Sequence, residues 1–205
     1  MERKRSDLLL LAALVAGASY YAQHWLMLDG PLVIAWKGSG VALLALWARL
    51  RATSTDGRLI AAALGLGALG DVLLNAMGMN TGALAFLAGH ALATIVYLRN
   101  PARSWLLAAP VAAAIAGAGW ALTANVGVTA YAFGLGTMAG SAFASRFPLA
   151  ALGAALFVVS DLLLFAEMRV LAHSPLPGLL IWPTYFAGQA LIAWGVVTGL
   201  EKAKA

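Results

Sequence analysis

The chain has 205 residues, 62% of them hydrophobic and 10% charged, with a mean hydropathy of +0.87. Apolar density of this order excludes a soluble globular domain and indicates a membrane protein. The formal net charge of +5 is no nucleic-acid footprint, because the basic residues are scattered along the loops. Without cysteine there are no disulfides, thiolate metal sites or cysteine nucleophiles. His24, His90 and His173 show no metal-ligand spacing, so no metal and no other cofactor is expected.

At about 20 residues per crossing, the chain has room for about eight helices joined by short loops. One all-α transmembrane domain over residues 1–205 is therefore expected. The basic start MERKRSD precedes a first span at 8–26. A basic segment, an apolar run and small residues near Ala16 and Ser19 have the look of a signal peptide. The apolar run continues past that point and seven more follow, so an uncleaved helix is expected. The later spans are predicted at 31–50, 59–77, 82–98, 104–123, 126–143, 147–167 and 178–200. Breakers mark the joins: Asp29-Gly30-Pro31, Asp56-Gly57, Gly78, Asn100-Pro101, Pro148, and Pro175 with Pro177-Gly178.

Charge placement orients these spans. With the N-terminus in the cytoplasm, Arg3, Lys4, Arg5, Arg49, Arg51, Arg58, Arg99, Arg103, Arg146, Lys202 and Lys204 face inward, 11 of the 13 basic residues. Arg169 faces outward and Lys37 falls inside the second span. This bias predicts eight spans with both termini cytoplasmic, in a multi-pass protein of the cell (inner) membrane.

Two spans carry an acid at membrane depth: Asp71 in LGLGALGDVLLNA, with Asn75 one turn on, and Asp161 in LFVVSDLLLFA. An intramembrane carboxylate costs several kcal/mol, roughly 3 on insertion scales, and such residues tend to be functional. The spans that follow match as well, FLAGHAL at 86–92 against YFAGQAL at 185–191. The third and fourth helices thus echo the seventh and eighth, which predicts a parallel four-plus-four repeat.

The buried polar residues share one depth. Asp71 and Asp161 lie six residues before the outer ends of their spans, and Lys37 six past the start of its own. His90, Tyr185 and Gln189 lie eight, seven and eleven past the starts of theirs. At 1.5 Å per residue this is a layer roughly 9–16 Å below the outer ends. One water-accessible pocket in the outer half is expected. Glu167, Arg169 and His173 read as solvated outer-loop residues, and the tryptophans as interfacial belt residues.

With these residues in view, the chain resembles the YhhN family of membrane proteins, whose characterised members are lysoplasmalogenases. The resemblance rests on Lys37, GDVLL at 70–74, FLAGHALATIVY at 86–97, LFVVSDLLLF at 156–165 and YFAGQALIAWG at 185–195, in that order. Gly38 follows the lysine where proline is expected in many relatives. The resemblance implies hydrolysis of the vinyl ether bond of a lysoplasmalogen, a lysophospholipid, to a fatty aldehyde and a glycerophospho-headgroup. Two carboxyls in a low-dielectric pocket suit that chemistry, one keeping its proton and the other ionised. Asp71 and Asp161 are then the expected catalytic pair, and Lys37, Asn75, His90, Tyr185 and Gln189 the substrate-binding shell. Paired intramembrane acids also suit a small proton-coupled transporter, and the same bundle suits a lipid-binding protein without turnover.

Overall fold

A computed structural model describes residues 2–203, with side chains from Ser6 onward. The inward placement of Arg3, Lys4 and Arg5 concerns side chains outside the described ones, and Lys204 lies outside the described residues. The chain is all-helical, with no β-strand among the described residues. Helix α1 (Glu2–Ser19) runs through a 3-10 turn at Tyr20–Ala22 into the short α2 (Gln23–Leu26). Then follow α3 (Pro31–Arg51), α4 (Thr55–Met77), α5 (Met79–Arg99), α6 (Ala108–Thr123), α7 (Val126–Ala144), α8 (Pro148–Glu167) and α9 (Leu176–Lys202). A 3-10 turn at Trp105–Leu107 leads into α6.

The predicted spans from 31–50 onward each centre on one of these helices, whereas the first, 8–26, is divided between α1, the 3-10 turn and α2. Among the described residues seven helical stretches are long and apolar enough to cross a membrane; α1, which begins with charged residues, is a further long helix. The termini follow local chemistry. Pro31 and Pro148 open their helices, where the missing N–H costs nothing. Ser54 and Asn125 cap α4 and α7 by accepting from the backbone N–H of Gly57 and Val128. Gly78, at φ 92°, is the whole link between α4 and α5, a backbone angle that favours glycine.

Consecutive helices pack as hairpins, with α8 against α9, α4 against α5, α6 against α7 and α3 against both α1 and α4. Contacts of α5 with α7, and of α3 and α4 with α9, join the hairpins into one bundle. Small residues set the closest approaches, as packing in lipid requires. A Cβ on Gly188 would lie 2.7 Å from the Gly153 carbonyl oxygen, and one on Gly153 would lie 2.6 Å from that of Gly188. In the other hairpin Gly89 meets the Ala63 carbonyl in the same way, at 3.0 Å. Ala63 and Gly153 each lie two helical turns ahead of their aspartate, so both acids enter the bundle in the same register.

Charges tie the helix ends together on one side. Arg51 grips both carboxylate oxygens of Glu201 at 2.8 Å and reaches Asp7 at 3.4 Å. Asp56 accepts from Arg99 and Asn100, and Asn100 in turn from Arg146. The start of α1 and the end of α9 therefore meet at this basic end. Two tryptophans correct the belt expectation: Trp47 is fully buried and Trp182 is 9% exposed. Both turn into the bundle, where Trp47 stacks on Trp194 and the Trp182 indole N–H donates to the Gly17 carbonyl.

Replacing Gly188 with Ala should destabilise the protein by ~1–3 kcal/mol, because backbone atoms block the new methyl group. Gly117→Ala, whose Cβ meets nothing within 4 Å, is the control. Reversible unfolding in micelles reads both, and an unshifted Gly188→Ala midpoint would refute the tight crossing.

Candidate active site

Asp71 on α4 and Asp161 on α8 are buried, at 2% and 6% exposure. Each lies six residues before the end of its helix, Met77 or Glu167, about 9 Å along the axis. Each has a phenol for a partner, and the two phenols come from different helices.

The Tyr185 hydroxyl on α9 donates to Asp71 Oδ2 at 2.7 Å. Its oxygen accepts from Gln189 Nε2 at 3.3 Å. Gly67, one turn before Asp71, leaves space for that amide; a Cβ there would lie 2.8 Å from Gln189 Nε2. On the other flank, Lys37 Nζ on α3 donates to Asn75 Oδ1 at 2.8 Å. Asn75 follows Asp71 by one turn, so Lys37 reaches the Asp71 cluster through Asn75. Val72 and Ala68 crowd Gly38 beside the lysine, so the glycine lets α3 and α4 approach there.

The Tyr131 hydroxyl on α7 donates to Asp161 Oδ2 at 2.8 Å. Tyr131 also lies 3.2 Å from His90 Nε2 on α5. A phenol has one proton. With that proton committed to the carboxylate, the phenol oxygen accepts, and His90 presents an N–H at Nε2. Among the described residues no cationic side chain hydrogen-bonds or ion-pairs with Asp161, nor with Asp71, whose nearest lysine, Lys37, bonds Asn75 instead.

Phe157 touches both clusters. Its ring centroid lies 5.1 Å from that of Tyr185 and 5.0 Å from that of His90, with Phe86 packed on both Phe157 and Tyr185. A void of about 20 Å³ beside it, lined by His90 and Gln189 among others, is large enough for one water. A larger cavity, about 400 Å³, opens among the ends of α4, α5, α7 and α8 away from the basic end. Asp161 and Tyr131 line it, and Asp71 does not.

All seven residues singled out from the sequence are thus in two neighbouring clusters. Lys37, Asn75, Tyr185 and Gln189 gather around Asp71, and His90 joins Asp161. The expected single chamber is corrected to two hydrogen-bonded clusters, because the rings of Phe86 and Phe157 occupy the space where a common pocket would lie. Sequence reasoning passed over Tyr131. It sits five residues into α7, about 7.5 Å from that end and just above the layer at roughly 9–16 Å, which is why counting depth did not reach it. Among the described residues no group of three His, Asp or Glu side chains could hold a metal ion.

The YhhN family model matches residues 32–196, and the chain belongs to that family. Every residue of both clusters lies inside this stretch. No curated protein and no solved structure matches the chain.

A double-mutant cycle between Asp71→Asn and Tyr185→Phe should show a coupling of about 0.5–2 kcal/mol, the range found for interhelical bonds in membranes. The crossed cycle, Asp161→Asn with Tyr185→Phe, should show almost none. Equal couplings in the two cycles would contradict the separate pairing of the acids.

Proposed function

We propose that this protein is a membrane-embedded hydrolase that cleaves the vinyl ether bond of lysoplasmalogens. The products are a fatty aldehyde and a glycerophospho-ethanolamine or -choline. The observation that carries the reading is a pair of buried carboxyls, each held by a tyrosine, in one layer beneath the end of an all-helical bundle. Membership of the YhhN family supports it.

Acid hydrolysis of a vinyl ether begins with protonation of the outer alkene carbon. The positive charge then spreads over the neighbouring carbon and the ether oxygen. Water adds, and the hemiacetal collapses. The reaction needs a carboxylic acid that has kept its proton and a negative group to stabilise the cation, a division of labour shared with glycosidases. Asp71 and Asp161 divide these roles. Lys37, bonded to Asn75 one turn from Asp71, is the positive group of that cluster. His90 acts through the Tyr131 hydroxyl, which fixes the orientation of the Asp161 carboxyl. Tyr185 and Gln189 do the same for Asp71.

Depth agrees with the substrate. The vinyl ether of a lysolipid lies just beneath its headgroup, and a layer about 9 Å below the helix ends meets it there. The protein works in the cell membrane on lipid drawn from the leaflet opposite the basic end.

Purified protein in detergent should release aldehyde from a lysoplasmalogen. Asp71→Asn and Asp161→Asn should each lower turnover by about a hundredfold or more while the protein stays folded. Near-normal turnover in both variants would sink the assignment. Solute flux in liposomes with no aldehyde release would favour a transporter instead.

A further inference from the structure

The 400 Å³ cavity is graded in polarity along its depth. Asn80 and Asn125 stand at its mouth, by the α4–α5 link and the start of α7. Leu84, Leu87, Leu164 and Phe165 form apolar walls. Asp161 and Tyr131 lie at its inner limit, one to two turns into their helices from that end. Leu87 also closes the seam between α5 and α7 from below, since a Cβ on Gly134 would collide with it. Above that seam Leu84 and Val126 are 68% and 74% exposed, facing outward where lipid lies. Between α5 and α7 the cavity is thus bounded on its inner side by the Leu87–Gly134 packing, with exposed apolar side chains nearer the helix ends.

We infer that a single-chain ether lipid docks in this cavity, with its headgroup at Asn80 and Asn125 and its chain leaving between α5 and α7, so that of the two acids only Asp161 touches the reacting bond. This rests on the hydrolase reading and adds where the substrate lies and which acid meets it. The size fits: ligand sites of this kind run from about 300 to 1,000 Å³. The grading also matches a lysolipid from headgroup to chain, with the ether at the depth of Asp161. A free phosphate compound would match the mouth and leave the apolar walls unused.

The steps then balance on one residue. The Asp161 carboxylic acid gives its proton to the outer vinyl carbon, whose π pair forms the new C–H bond. Water adds to the oxygen-bearing carbon and returns a proton to the Asp161 carboxylate. The hemiacetal hydroxyl proton passes to the ether oxygen as the C–O bond breaks, leaving an aldehyde and an alcohol. Asp71 touches none of these atoms. It is a positioning residue that acts on the cation through its field, from behind the aromatic rings. Its loss should therefore lower kcat with KM nearly unchanged, whereas filling the cavity should raise KM.

The chain has no cysteine, so one introduced thiol reports on the cavity alone. Ala83 and Ala130 line it and make none of the hydrogen bonds of either cluster; Ala155 lines a separate cavity beside Arg103 and Arg146. Full-length Ala83→Cys and Ala130→Cys proteins are treated with a maleimide, with and without a saturated alkyl-ether lysophospholipid, which binds but cannot be cleaved. At ten times its Kd the lipid should slow labelling about tenfold, as site occupancy dictates. Labelled protein should lose turnover. Ala155→Cys should be unprotected by the lipid and active once labelled, and glycerol phosphate should protect none of the three. Unslowed labelling at both cavity positions, with turnover surviving it, overturns the docking site even if aldehyde release is normal. Protection without aldehyde release from a lysoplasmalogen supports the docking site and overturns the reaction at Asp161.

Discussion

A carboxyl group inside a bilayer needs a donor from another helix, and two such groups set the architecture of this protein. Each carboxylate left bare would cost at least roughly 3 kcal/mol. A hydrogen bond to a charged group returns about 1.5–3 kcal/mol, so one phenol per acid brings the balance near zero. That bond forms only if the helices bearing the phenols come close. The Tyr185 bond needs α9 beside α4 and the Tyr131 bond needs α7 beside α8; on the first of these Gly67 leaves the space that Gln189 fills next to Tyr185. Packing and polar pairing are one constraint here: separating α4 from α9, or α7 from α8, would pull a donor from its acid.

The two acids solve this problem differently. Tyr185 and Phe86 hold matching positions in the stretches YFAGQAL and FLAGHAL, and their rings meet at 5.8 Å. Tyr185 has a hydroxyl and supplies Asp71. Phe86 has none, so Asp161 takes its donor from Tyr131 on α7. Gln189 and His90 also match in position, and each bonds the tyrosine of its own cluster. Likeness of backbone register thus carries unlike chemistry. One acid is enclosed with a lysine nearby, and the other borders a cavity without one. A reaction that needs a proton donor and a negative stabiliser needs this inequality.

Much of this was legible in the residues. Apolar runs cut by Gly and Pro gave the long helices from α3 onward to within a few residues, because in lipid the backbone has no choice but to bond to itself; the first span, 8–26, missed that α1 ends at Ser19. The depth of Asp71, Asp161, His90, Tyr185 and Gln189 followed from counting along those helices. The neighbours did not follow. His90 reads as a partner for either acid, and only the crossing of α5 with α7 assigns it to Tyr131 and Asp161. Nor can a one-dimensional pattern tell that Phe86 and Phe157 fill the middle of the polar layer and divide one expected chamber into two clusters. Trp47 and Trp182 misled for a related reason. A tryptophan near a span end faces lipid or the bundle according to the helix's rotation, which hydropathy alone leaves open.

The central claim is that a buried acid hands a proton to carbon. Running the reaction in deuterium oxide and examining the released aldehyde by mass spectrometry tests it most directly. The account predicts one deuterium on the carbon next to the carbonyl in every product molecule, placed there as the vinyl ether is protonated. Aldehyde with no deuterium at that carbon, or release of a fatty acid in place of an aldehyde, would contradict it.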